Sequence, residues 1–67
     1  MTTKEFIDNE VRVVVQDIEN ISKIVGVQSN EFNGEFSEQV TLLWNINVLN
    51  GKLEELKELV KIKSNNQ

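Results

Sequence analysis

Apolar residues recur along this chain in two runs that keep the same spacing of four, then three. Ile7, Val11, Val14, Ile18, Ile21 and Val25 form the first run, and Leu42, Ile46, Leu49, Leu53, Leu56 and Val60 the second. This repeat keeps a narrow apolar stripe on one side of an α-helix and holds it against a partner helix for several turns. Two such stripes in one short chain predict two long helices packed on each other. With Ile7 and Leu42 at d positions, Val11, Ile18, Val25, Ile46, Leu53 and Val60 fall at a, and the second d column is all leucine.

The chemistry at the boundaries fits two helices. Thr2 followed three residues later by Glu5 makes a capping box, in which the hydroxyl accepts a first-turn N–H. Gly26 follows Val25 directly, where a left-handed residue closing a helix would stand, since glycine has no Cβ to clash at positive φ. A helix over about 3–25 is therefore expected. The stretch 26–36 has no sustained period and contains Asn33-Gly34, which reads as a loop. Ser37 is the expected cap of a second helix over about 37–62, with Glu38 near its positive pole, followed by a frayed tail over 63–67.

One pattern competes with this reading. Val40, Leu42, Trp44, Ile46 and Val48 alternate as a half-buried strand would, which gives an α+β arrangement with a strand near 40–48 as the alternative. The alternation stops at Val48 and leaves Leu43 and Leu49 on its polar side. The four-three frame instead runs through Asn50-Gly51 without slipping. The expected fold class is all-α, an antiparallel, coiled-coil-like two-helix hairpin.

Charge gives a second check on pairing. Folding the second helix back on the first sets Asp17 opposite Lys52 and Asp8 opposite Lys57, both with matched sign. Along the helices, Asp8/Arg12 and Glu54/Lys57 are acid-first pairs at helical spacing. The two stripes leave a surplus, however. Phe6, Val13, Val15 and Ile24 on the first helix, and Leu43, Trp44, Val48, Leu59 and Ile62 on the second, exceed what two helices can cover. A 67-residue chain buries only about 60% of its unfolded surface, and with no cysteine for a disulfide it has few other staples. Dimerisation into a four-helix bundle is the expected remedy.

The residue inventory excludes much chemistry. There is no Cys and no His, hence no thiol nucleophile, no imidazole base and neither of the usual transition-metal ligands. Glu54, Glu55 and Glu58 sit among lysines, as on a solvated helix face, and Glu31 and Glu35 lack the alternating ligands of a calcium loop. No glycine-rich phosphate cradle occurs, and the three glycines are isolated. A net charge of −4 with a single arginine, Arg12, opposes a nucleic-acid footprint. No apolar run reaches the length of a membrane span or a signal sequence. These features predict a cytoplasmic protein that is not an enzyme and takes no cofactor, metal or small-molecule substrate.

The functional candidates are accordingly surfaces. Val15, Ile24, Leu43, Trp44, Val48 and Leu59 are expected to serve self-association or a protein partner, with Trp44 as anchor because it combines large apolar area with one polar handle. Phe32 and Phe36 bracket Asn33-Gly34 and are candidates for a recognition tip. The function this supports is a small acidic self-associating regulator or inhibitor of a larger protein; the alternative is a structural, assembly or chaperone-like oligomerisation module. A vocabulary rich in Asn, Lys and Ile also suits a mobile-element or viral origin.

Overall fold

A computed structural model describes residues 2–65 and consists of two α-helices, α1 over Thr3–Glu31 and α2 over Phe36–Asn65. They pack side by side as an antiparallel hairpin measuring 48 × 15 × 14 Å. At about 1.5 Å rise per residue, a 29-residue helix alone accounts for most of that length. Among the described residues there is no strand, so the alternation over Val40–Val48 reflects a helix that is apolar on several sides.

The start of α1 follows its sequence signal. Thr2 is extended at φ −77° and ψ 161°, and the Glu5 N–H donates to its Oγ1 at 3.1 Å, while the Phe6 N–H donates to its carbonyl at 3.0 Å. The end of α1 does not. The helix runs through Gly26 and stops at Glu31, leaving a connection of only 32–35 in place of the expected 26–36. The chain reverses at Gly34, the one residue with positive φ (88°) among those described. A glycine inside a helix costs about 1 kcal/mol relative to alanine. Here the extra turns beyond Gly26 gain a contact between helices, in which the Asn45 side-chain amide donates to Gln28 Oε1 at 2.9 Å.

The second helix also begins earlier than Ser37. The Gln39 N–H donates to the Glu35 carbonyl at 3.0 Å, so the first helical turn opens at Glu35, and Ser37 lies inside it with its carbonyl accepting from Thr41 Oγ1. Glu38 Oε1 accepts from the Asn33 N–H at 3.3 Å and ties the loop to this turn. Lys63, Ser64 and Asn65 continue the helix rather than fray, while Asn66 and Gln67, the rest of the expected tail, lie outside the described residues.

The core is thin. Ile7 and Val14 are the buried residues of α1, with Val11, Ile18, Ile21 and Val25 half-buried beside them, so the first stripe faces α2 as its spacing predicts. On α2 the stripe is rotated. Half-buried positions recur at Leu42, Asn45, Leu49, Lys52, Leu56, Leu59 and Lys63, again alternating three and four. This column shares Leu42, Leu49 and Leu56 with the expected one. It takes Lys52 and Leu59 in place of Leu53 and Val60, and Asn45 joins Ile46, which stays half-buried. Leu53 and Val60 are therefore 45% and 49% exposed instead of buried at the helix contact.

Polar pairing accounts for the rotation. Because α2 carries apolar residues around much of its circumference, burial alone does not choose between two columns that share the same leucines. Turning Asn45, Lys52 and Lys63 toward α1 lets each meet a polar partner there: Gln28, Asp17 and Asp8.

Candidate protein-interaction surfaces

Among the described residues two ion pairs cross between the helices. Lys52 Nζ lies 3.2 Å from Asp17, the expected partner, and 3.7 Å from Glu55 on its own helix. Asp8 is met by Lys63 at 2.9 Å rather than by the expected Lys57. The reason is the lean of helical side chains toward the N-terminus of their own helix. On antiparallel helices these leans run in opposite directions, so an acid on α1 is reached by a lysine rooted further along α2. The Asp8 oxygen facing Lys63 is shielded from water and makes no well-aligned hydrogen bond, which leaves it dependent on the ammonium charge.

The same contacts set the protonation of these groups. Lys63 against it is the main cause holding the Asp8 carboxyl below its ordinary 3.8, with Lys4 and Arg12 adding to the effect and partial desolvation opposing it. Asp17 is the main cause raising the Lys52 ammonium above its ordinary 10.5, with Glu55 helping. None of the intrahelical pairs expected from spacing, Asp8/Arg12, Glu19/Lys23 and Glu54/Lys57, forms. Among the described residues Arg12, Glu54 and Lys57 take part in no ion pair.

The surplus apolar residues sort onto two sides of the hairpin by a simple rule. Consecutive residues on a helix are about 100° apart. In an antiparallel pair, the residue just before each contact position falls on one side of the hairpin for both helices, and the residue just after falls on the other. The Lys52 cluster fits this rule, since Asp17 precedes half-buried Ile18, Glu55 precedes half-buried Leu56, and both reach the same ammonium.

On the first side, the Trp44 face, stand Phe6, Val13, Ile24 and Val27 of α1 with Trp44 and Ile62 of α2, all exposed. Trp44 is 68% exposed, more than any of these neighbours. Half-buried Val48 also lies on this side. The Asp17–Lys52–Glu55 cluster cuts the face into an apolar patch at the loop end and another at the open end. On the second side, the Leu53 face, stand half-buried Val11, Val15, Ile18 and Ile46 with exposed Leu53 and Val60. By the same rule Asp8, Arg12, Glu19 and Lys57, which follow Ile7, Val11, Ile18 and Leu56, also fall on this side, where Asp8 pairs with Lys63.

The structure thus divides the sequence-predicted surface. Ile24, Trp44 and Val48 share the Trp44 face; Val15 is on the Leu53 face; Leu59 is half-buried in the helix contact; and exposed Leu43 lies toward the back of α2. Phe32 ends α1 in an extended conformation, and Phe36 opens α2 exposed to solvent. Val27 and Val40 carried no signal in the sequence because they fell in the expected loop and in the strand-like stretch. Leu53 and Val60 carried the wrong one, having been assigned to the core. Their exposure follows from the rotation of α2, which only the cross-helix polar pairs reveal.

Other features offer little chemistry. An open cleft of about 270 Å³ at the loop end is lined by Gln28, Glu31, Ser37, Glu38 and Thr41, of which Thr41 and Glu38 already spend polar atoms on local hydrogen bonds. Among the described residues no three carboxylates converge as a metal site requires, and no helix is long and apolar enough to cross a membrane. The chain matches no protein-family model, no curated protein and no solved structure.

Proposed function

We propose that this protein works by protein–protein contact: a small acidic hairpin that self-associates in the cytoplasm and docks on a larger protein as a regulator or inhibitor, without catalysis. The observation that carries this reading is Trp44, 68% exposed on the same side of the hairpin as exposed Ile24. Tryptophan anchors interfaces because it brings a large rigid apolar surface with one donor, and leaving it in water forfeits that area. The net charge of −4 favours a partner with a basic docking site over nucleic acid.

A second reading, a structural or assembly module, is favoured by the separate Leu53 face, which offers an apolar surface for oligomerisation on the far side from Trp44. Affinity capture from native host extract with wild type and Trp44→Ala, together with sedimentation of both, separates the two. Loss of a captured protein while the oligomer survives supports the regulator. An oligomer that survives Trp44→Ala, with no captured protein in either case, overturns it in favour of assembly.

A further inference from the structure

We propose that a second copy of this chain covers the Leu53 face, related by a two-fold axis parallel to the helices, so that α1 of each copy packs antiparallel beside α2 of the other in a four-helix bundle. This rests on the self-association reading above and names its surface and symmetry.

Three observations point to this face and this occupant. The first is its composition. The Trp44 face is crossed by Asp17, Lys52 and Glu55, and burying these charges carries a desolvation cost that their mutual attraction need not recover. The Leu53 face carries Val15 on one helix and Ile46, Leu53 and Val60 on the other, flanked by Arg12, Glu19 and Lys57; its ion pair, Asp8–Lys63, lies at the open end rather than midway and does not cut the apolar set in two. Ile46, Leu53 and Val60 each follow a contact residue of α2 and so stand roughly a quarter turn round from it. In a four-helix bundle each helix serves two neighbours, and its apolar stripe must turn away from the contact with either one toward the common axis. The rotation of α2 does this.

The second is area. A folded monomer of 7.7 kDa exposes about 4,300 Å² by the usual surface–mass relation. The hairpin exposes 5123 Å². The surplus, roughly 800 Å², reflects the elongated shape of an unpartnered hairpin and is of the order each partner contributes to a standard stable interface.

The third is charge. Bordering the Leu53 face, α1 carries Asp8, Arg12 and Glu19, and α2 carries Lys57, with Glu54 further round toward its back. The proposed axis repeats the antiparallel α1·α2 register across the interface. Asp8 then lies beside Lys57 of the partner subunit, and Arg12 beside Glu54 of the partner subunit, acid to base and base to acid. Among the described residues Arg12, Glu54 and Lys57 have no ion-pair partner within the protomer. A two-fold axis across the helices would instead set α1 beside α1 and α2 beside α2, with these charges facing neutral residues. Self-complementarity of this kind is what a two-fold interface demands and what an unrelated partner has no reason to supply.

The chain lacks cysteine, which makes cross-linking a clean test. Arg12→Cys and Glu54→Cys variants are mixed, equilibrated and treated with a short thiol–thiol cross-linker; a parallel sample mixes Asn20→Cys with Asn47→Cys, the matching positions bordering the Trp44 face. The first mixture is expected to give a covalent dimer absent from either variant alone, and the second to give none. Sedimentation of Leu53→Asp is expected to show a monomer that keeps its helical circular dichroism, and Trp44→Asp to remain dimeric. A wild-type dimer that cross-links only through the Asn20/Asn47 pair, or that survives Leu53→Asp, overturns the proposed face and leaves self-association standing. A wild type that sediments as a folded monomer at micromolar concentration overturns both.

Discussion

The three glycines of this chain occupy three different backbone situations, and alanine at each tests where the helices run. Gly26 and Gly51 lie inside helices at ordinary negative φ, and a Cβ built on either meets nothing within 4 Å. Alanine there adds no clash, removes backbone freedom from the unfolded chain and gains helix propensity, about 1 kcal/mol of stabilisation at each site. Gly34 also has open space, but its φ of 88° belongs to the left-handed region. Alanine at 34 is expected to cost about 1–2 kcal/mol from backbone strain alone. The readout is urea unfolding followed by circular dichroism at one fixed protein concentration, since association contributes to apparent stability. For a domain of this size, about 1 kcal/mol moves the melting temperature by roughly 4–8 °C. Gly26→Ala and Gly51→Ala should each raise the midpoint, and Gly34→Ala should lower it. If Gly26→Ala destabilises and Gly34→Ala is neutral, α1 ends at Gly26 and the chain reverses there, which refutes the account of the extended helix and of the Gln28–Asn45 bond it permits. Gly51 precedes Lys52 and so borders the Trp44 face; a loss of dimer on Gly51→Ala would argue for self-association through that face.

Three further outcomes follow from the same contacts. Val14 is 1% exposed, so Val14→Ala should destabilise by roughly 2–3 kcal/mol through lost burial and a residual cavity, whereas Val13→Ala, exposed one residue earlier, should stay within about 0.5 kcal/mol in the monomer; paired urea titrations measure both. Thr2→Ala removes the hydroxyl that accepts the Glu5 N–H and should cost about 1 kcal/mol, with Thr2→Ser restoring most of it in the same assay. The folded-state pKa of Asp8 is lowered, so the stability it contributes is present above the ordinary 3.8 and is lost as pH falls through the depressed value; that of Lys52 is raised, so its contribution is full below 10.5 and is lost as pH rises past it. The urea midpoint should therefore fall on both sides of a neutral plateau, the acid side flattening in Asp8→Asn and both sides shrinking at high salt, because these partly exposed pairs are screened.

The sequence alone determined that there are two helices, that they fold back on each other and that Thr2 starts the first. Those properties follow from local periodicity, from two matching apolar stripes in one short chain and from a side chain reaching its own backbone. It also placed Asp17 against Lys52, because opposite charges at matched levels of an antiparallel pair leave few alternatives. It misplaced the end of α1, since a glycine that permits termination does not require it when the next turns gain a contact with α2. Tertiary structure decided the rotation of α2 about its own axis. Leu42, Leu49 and Leu56 serve two adjacent columns equally well, and the choice fell to Asn45, Lys52 and Lys63, whose partners Gln28, Asp17 and Asp8 are distant in the chain. That rotation moved Leu53 and Val60 from the expected core to the surface, separated them from Trp44, and so gave this hairpin two apolar faces of different character.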